Sequence, residues 1–365
     1  MVVRQRHPPL TPFVMAEPSP SGVSPYPPPR YAGATRVAWL ALRRLIGWAL
    51  PVALAVAAAA AGALLLGYPT PAATATTTLC LAGVVAPRSY PRAVGHRGAE
   101  GVAPENTLPA LTAGAAAVGI VETDVTVSAD GTAWLFHDET LDAQSNGTGR
   151  PCAATDAVLG GVRVAGGAAY GLANVTASLT RLAPALTAVG GGVDWMLDVK
   201  TCGWPGGPPP AGTLPAGVTT ADAPADPDGC VACPALVGAI ADALDAAGTS
   251  LDAVVFTSTQ PSALAAVRSR WPAAATVLSR DAKAVLRPLR SLLTDFAPWT
   301  GGALEWRLAV ARPDLVAALT ARPGGRVYGW TVRGGGAWRA VGCAGGGWGI
   351  TSFPNRVAGW KAEAK

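Results

Sequence analysis

Short apolar runs recur from residue 92 to the C-terminal end of the chain, with stretches of helical spacing between them. The runs predict strands at 92–96, 120–126, 133–137, 194–200, 253–258, 275–279, 326–332 and 347–352. The intervening periodicity predicts helices at 107–118, 234–247, 261–270 and 312–322. Alternation of this kind belongs to a parallel α/β sheet. Eight strands spread over residues 91–360 fit a closed (β/α)8 barrel better than an open sheet. Two segments break the rhythm. Residues 45–67, LIGWALPVALAVAAAAAGALLLG, carry no charge and, at roughly 1.5 Å per residue, could span a hydrocarbon core of about 30 Å. Residues 201–233 are rich in Gly and Pro and have no apolar period. They follow a strand, so they are expected at the C-terminal face of the barrel, as a lid or as a solvated insertion.

Composition sharpens the N-terminal picture. Residues 1–44 include PSPSGVSPYPPPR at 18–30, a composition that cannot bury a core and reads as a disordered tail. The tail holds Arg4, Arg6, Arg30, Arg36, Arg43 and Arg44 against the single acid Glu17. A basic flank before an apolar span places the N-terminus in the cytoplasm. The expectation is a transmembrane signal anchor at 45–67, a linker at 68–90, and an extracytoplasmic domain at 91–360 in a cell membrane. A cleaved signal peptide fits less well, because its apolar region is normally only about 7–15 residues. The net charge of +5 lies partly in the tail, and no basic stripe interleaved with aromatics is visible, so nucleic acid is not an expected partner. The cysteines at 80, 152, 202, 230, 233 and 343 form an even set, which outside the cytoplasm predicts structural disulfides. Cys202 with Cys230 or Cys233 would close the insertion. Cys230-x-x-Cys233 has no second such pair and no nearby His, which argues against zinc.

Polar residues that carry chemistry cluster early in the barrel. Gly95-His96-Arg97-Gly98 ends the first predicted strand, and Pro104-Glu105-Asn106-Thr107 precedes a helix. Glu122-Thr123-Asp124 lies within the second strand, Asp130-Gly131 marks a tight turn, and His137-Asp138 and Asp198-Val199-Lys200 close two further strands. Strand residues two apart share a face, so Glu122 and Asp124 point together, as do Asp198 and Lys200. Carboxylates on an apolar strand are costly unless neutralised, by a bound cation or by Arg97 or Lys200. Three carboxylates without Cys or His beside them favour a hard ion, Mg²⁺ or Ca²⁺. His96 and His137 are two of only three His in the chain. Both sit where barrel enzymes place reacting groups, and two imidazoles can divide acid and base roles. Arg97 can grip phosphate with its planar fork, and Lys200 adds a point charge. Together these point to phosphoryl transfer.

The run 93–142 resembles the opening of the glycerophosphodiester phosphodiesterase family, which shows the His-Arg-Gly, Pro-Glu-Asn-Thr, Glu-x-Asp, Asp-Gly and His-Asp elements in this order. Weaker likenesses are Ser258–Arg268, Tyr328-Gly329-Trp330-Thr331-Val332 and Gly349-Ile350-Thr351-Ser352-Phe353-Pro354. The resemblance implies a TIM barrel. It also implies His96 and His137 as acid–base pair, Glu122, Asp124 and Asp198 as ligands of one divalent cation, and Arg97, Lys200 and Trp330 as substrate contacts. The implied reaction cleaves a glycerophosphodiester to glycerol 3-phosphate and an alcohol. The chain departs from the family pattern at Asp198 (usually Glu), at Ala143-Gln144-Ser145, at Arg333 (usually Asn) and at Ser352 (usually Asp). Asp198 admits a second activity, lysophospholipase D or sphingomyelinase D-like cleavage of lipid headgroups. The changes at 143–145 and 352 admit a third reading, a non-catalytic surface protein on a degenerate barrel.

Overall fold

The computed structural model describes residues 72–87, 89–203 and 230–363. The predicted tail, the apolar segment 45–67 and most of the 201–233 insertion lie outside these residues. Among the described residues no helix is long and apolar enough to cross a membrane.

Eight parallel strands close into a ring: β1 (Arg92–Gly95), β2 (Ile120–Val127), β3 (Asp194–Val199), β4 (Val254–Ser258), β5 (Ala275–Arg280), β6 (Gly301–Glu305), β7 (Arg326–Val332) and β8 (Trp348–Thr351). Closure is made by β1, which pairs with β8 at Gly95↔Thr351 and with β2 at Gly95↔Val121. The barrel interior is filled by Val94, Ile120, Met196, Val277, Ala303, Tyr328 and Ile350, contributed by different strands. This is the side-chain layering expected of a packed (β/α)8 core. A larger apolar shell lies between the strands and the outer helices. Cys233–Ala247 shows why such segments are helical. Leu236, Val237, Ile240 and Leu244 bury one stripe, a Pro stands in the first turn, and Gly248 at φ 62° ends the helix.

The strand count of eight was expected, but one member differs. Residues 133–137 do not join the parallel ring. Ala133–Leu135 folds back antiparallel on β2, with Val125↔Leu135 and Val127↔Ala133. The missing barrel strand is β6, whose Gly301-Gly302 start shows no apolar run. Those glycines are required by packing: a Cβ at Gly301 would lie 2.2 Å from the Arg326 carbonyl oxygen, and one at Gly302 would meet Phe296 at 2.8 Å. The predicted linker also holds more structure than its composition implies. Ala72–Leu81 is a helix, tied to the Gly335–Cys343 helix by the Cys80–Cys343 disulfide and by Thr77 Oγ1 donating to the Cys343 carbonyl at 3.1 Å. Its Ala-Thr sequence has no strong apolar face, so tertiary anchoring decides its state.

Cys202 pairs with Cys233, closing the insertion at its base, and Cys152 pairs with Cys230. A second excursion lies between the β2 hairpin and β3. It contains a two-stranded sheet, Arg163–Ala165 with Thr176–Ser178, and a helical turn at Ala168–Tyr170.

Candidate active site

The loop after β1 is locked to the start of the Leu108–Val118 helix. Gly98 has φ 81°, and a Cβ there would strike Ala110 backbone at 2.4 Å, so only glycine permits this approach. Arg97 (φ 48°) and Asn106 (φ 57°) also adopt left-handed backbone, a conformation that costs about 1 kcal/mol or more for non-glycine residues. The Asn106 amide donates to the Arg97 carbonyl at 3.1 Å. Asn106 then grips β2 from the side: its Oδ1 accepts from Thr123 Oγ1 and from the Asp124 amide, and its Nδ2 donates to Asp124 Oδ2 at 2.7 Å. The Pro-Glu-Asn-Thr element is thus a clamp that holds the acidic strand in place.

The structure gathers the expected acids. Ligand atoms of Glu122, Asp124 and Asp198 all lie within 4.8 Å of one another. Register explains it, since Asp124 pairs directly with Asp198 across β2 and β3. Lys200 Nζ sits 2.5 Å from both Asp124 Oδ1 and Asp198 Oδ2. Arg97 is more heavily engaged than a free phosphate clamp. Its Nη1 donates to both Glu105 oxygens at 2.7 Å, and its Nε lies 3.3 Å from Asp124 Oδ2. Trp330 is half-buried against the barrel interior, and its buried Nε1 has no acceptor among the described residues.

The two histidines flank this cluster from different routes. His96 follows β1 directly. Its Nδ1 lies 2.9 Å from Glu100 Oε1 and its Nε2 4.0 Å from Glu122 Oε2. His137 does not end a barrel strand, as the sequence pattern implied. It arrives on the antiparallel return, where the Phe136 amide donates to the Asp124 carbonyl at 3.1 Å. Its Nδ1 is 2.6 Å from Asp138 Oδ1, and the charges of Asp124, Lys200 and Arg97 all act on it. The His137 side chain is 37% exposed against 12% for His96.

Charge in the cluster is unbalanced. Glu100, Glu105, Glu122, Asp124 and Asp198 face Arg97, Lys200 and, at the rim, Arg333: five acids against three permanent cations, a deficit of two before the histidines are counted. Burial pushes the Glu122 carboxyl up to about 8, and Asp124 beside it adds to the rise. Burial likewise raises Asp198 to about 6, with Lys200 resisting and Asp124 assisting. Burial would raise Asp124 as well, but Lys200 and Arg97 hold it well below the usual carboxylate range. The site therefore retains protons where a cation would fit, and its all-oxygen donor set suits a hard divalent ion.

Between the ordinary values, 4.5 for Glu and 3.8 for Asp, and the raised values near 8 and 6, the folded cation-free protein binds more protons than the unfolded chain. Stability in chelator should therefore fall as pH rises through that window and level off above it. His96, raised because Glu100 and Glu122 outweigh burial, adds to the trend. His137, lowered chiefly by burial, opposes it only below the ordinary histidine value of 6.5. Thermal melts across the window test the sign, and a melting temperature that rises towards pH 8 would contradict it.

Glu100, Glu105, Asn106, Tyr170 and Arg333 complete the site, and sequence reasoning gave none of them a role in it. Glu105 and Asn106 lay within a recognised element and could have been assigned from it. Tyr170 arrives from the distant excursion and carried no local signal.

Residues 96–192 match the glycerophosphoryl diester phosphodiesterase family. Among curated proteins, glycerophosphodiester phosphodiesterase 1 of Bos taurus is 46% identical over 71 residues, 19% of this chain and 21% of the relative. A glycerophosphoinositol inositolphosphodiesterase of Mus musculus is 51% identical over 57 residues, 15% of this chain and 11% of the relative. The chain thus aligns with about a fifth or less of the length of these relatives. A glycerophosphoryl diester phosphodiesterase structure from Silicibacter pomeroyi superposes with a TM-score of 0.60 at 21% identity, covering 78% of this chain and 97% of that one. A phosphodiesterase from Oleispira antarctica, solved with sn-glycerol 3-phosphate, gives a TM-score of 0.57 at 20% identity, covering 75% and 97%. In its ordered motifs and its barrel, and by the match over residues 96–192, the chain is similar to the glycerophosphodiester phosphodiesterase family.

Proposed function

We propose that the protein hydrolyses glycerophosphodiesters to sn-glycerol 3-phosphate and an alcohol, using His96 and His137 for acid–base work beside one bound Mg²⁺ or Ca²⁺. The observation that carries this reading is the buried, charge-deficient triad Glu122, Asp124 and Asp198 flanked by the two histidines. These three carboxylates would hold the cation, which when bound neutralises phosphate charge and acidifies a hydroxyl or water. One histidine takes the proton of the nucleophile, and the other delivers a proton to the departing alcohol oxygen. In each ring Nδ1 faces a carboxylate, Glu100 for His96 and Asp138 for His137, which leaves Nε2 for the substrate. Trp330 offers an indole N–H, and Arg97 and Lys200 supply fixed positive charge beside the phosphate. Membrane attachment through residues 45–67, with the barrel outside the cytoplasm, belongs to the same proposal. The three disulfides support it, because such bonds persist in oxidising compartments.

One experiment addresses activity, cation and side of the membrane. Intact cells carrying the full chain are supplied with glycerophosphocholine, which does not cross the membrane, and glycerol 3-phosphate is measured in the medium. Release that stops with chelator and returns with Mg²⁺ or Ca²⁺ is expected. Undiminished release in chelator would remove the cation from the reading. Activity only after lysis would reverse the topology. Cleavage confined to lysophospholipid or sphingomyelin would favour headgroup cleavage of the phospholipase D kind. Failure to cleave any diester would favour the non-catalytic barrel.

A further inference from the structure

Four elements converge on one carboxylate oxygen. Glu100 Oε1 lies 2.9 Å from His96 Nδ1. It accepts from Ser352 Oγ, just past β8, at 2.5 Å. It accepts from Tyr170 Oη, on the excursion before β3, at 2.9 Å. Arg333, just past β7, donates through Nε to Tyr170 Oη at 2.9 Å and holds Nη2 3.7 Å from the same carboxylate oxygen. The arrangement is packed as well as bonded. The Tyr170 ring meets Phe353 edge-on at 5.5 Å, and Phe353 fills the space beside Gly101, where a Cβ would come within 2.3 Å of its ring. Glu100 is 4% exposed.

We propose that Glu100 is a positioning residue for His96: its carboxylate keeps the ring proton on Nδ1 and so directs Nε2 towards the acidic cluster. His96 Nδ1 is buried and has no in-line hydrogen-bond partner among the described residues, with Glu100 Oε1 the acid beside it. Such contacts are commonly oblique without substrate and tighten when it binds. A carboxylate behind an imidazole fixes both tautomer and ring orientation, the second of which would otherwise be free about the Cβ–Cγ bond. Glu100 cannot swing away, because Ser352 and Tyr170 hold it from two other loops. His96 then has the same backing that Asp138 gives His137, but from a residue four positions along its own loop.

The geometry also assigns Ser352 its part. Its hydroxyl reaches the very oxygen that faces His96, so an aspartate at 352 would place a carboxylate in nearly the same space. The acid is needed once, and in this chain it comes from position 100. Ser352, with no charge of its own, serves as donor to it. Tyr170 and Arg333 extend the same support to the rim, where the Arg333 side chain is 60% exposed.

This inference rests on the phosphodiesterase reading for its kinetic test, but not for its spectroscopic one. The chain has only three His, so nitrogen signals from ¹⁵N-histidine protein can be assigned with His96→Ala and His137→Ala controls. In the full-length wild type, at a pH where the His96 ring is neutral, its proton should sit on Nδ1. In Glu100→Gln it should shift towards the Nε2-protonated form. Kinetically, Glu100→Gln should lower kcat by on the order of 10- to 100-fold with KM changed less than about 3-fold. The double variant Glu100→Ala/Ser352→Asp should regain at least about 10-fold over Glu100→Ala, whereas Ser352→Asp alone, with two acids crowded together, should lose activity. An unchanged His96 tautomer in Glu100→Gln, a kcat within about 2-fold of wild type, or a double variant no better than Glu100→Ala would each overturn the proposal. A tautomer shift in a protein that cleaves no diester would uphold the positioning role and remove only the phosphodiesterase reading.

Discussion

Replacing Asp124 by Ala is expected to destabilise the fold by about 3–5 kcal/mol and to abolish activity. Asp124 is 2% exposed and is the hub of the cluster. It pairs with Lys200 at 2.5 Å, approaches Arg97 Nε at 3.3 Å and accepts from Asn106 Nδ2 at 2.7 Å. Removing one partner of a buried ion pair leaves the other charge uncompensated, and that loss outweighs the modest net worth of the pair itself. Lys200 would keep Asp198 as partner, so part of the cost is absorbed there; Arg97 would keep Glu105. A double variant, Asp124→Ala/Lys200→Met, should be less stable than Asp124→Ala alone, because Asp198 then loses its cation as well. Guanidinium unfolding of the disulfide-intact protein measures both. If the two variants unfold at the same denaturant concentration, Lys200 does not compensate Asp198 once Asp124 is gone. Asp124→Asn separates charge from shape: it should retain more of the stability and none of the activity.

What was legible beforehand followed from residues whose chemistry and spacing coincide. Glu122 and Asp124 alternate on an apolar strand, so their shared face was readable, and the β2–β3 register then brings Asp198 opposite Asp124. The positions of His137 and β6 were not readable in the same way. A short apolar run such as Ala133–Leu135 looks alike whether it pairs parallel or antiparallel, because side-chain alternation is the same in both. Gly301-Gly302 gives no hydrophobic signal at all, since its role is to leave room for Arg326, Phe296 and Leu319. The helix at Ala72–Leu81 depends on a disulfide to Cys343, a partner 263 residues away. The planar fork of Arg97 and its place in the His-Arg-Gly element suggest a phosphate clamp, yet Glu105 occupies Nη1. Glu100 went unread because its meaning comes from His96, Ser352, Tyr170 and Arg333, which meet only when the barrel closes and the excursion folds over it. Local pattern identifies groups that act through their own chemistry. Groups that act by orienting another residue are specified by tertiary neighbours.

His96→Ala and His137→Ala should each lower kcat by on the order of 10²- to 10⁴-fold, the range for removal of a general acid or base. The loss in the double variant should be well short of the product of the single losses. The two rings serve one displacement, one accepting a proton while the other gives one, and groups that act as a unit are not additive. Stability should separate the two singles. His137 is 37% exposed and bonded to the adjacent Asp138, so its removal should leave the melting temperature nearly unchanged. His96 is 12% exposed and lies between Glu100 and Glu122, so its loss leaves those two acids less compensated and should lower the melting temperature in chelator. Added Mg²⁺ or Ca²⁺ should recover much of that difference, because a cation binding the folded state alone stabilises it by mass action. Equal melting temperatures for the two singles in chelator would mean that His96 contributes no charge to the cluster. Fully multiplicative losses in kcat would mean that the histidines act in separate steps rather than on the two ends of one bond exchange.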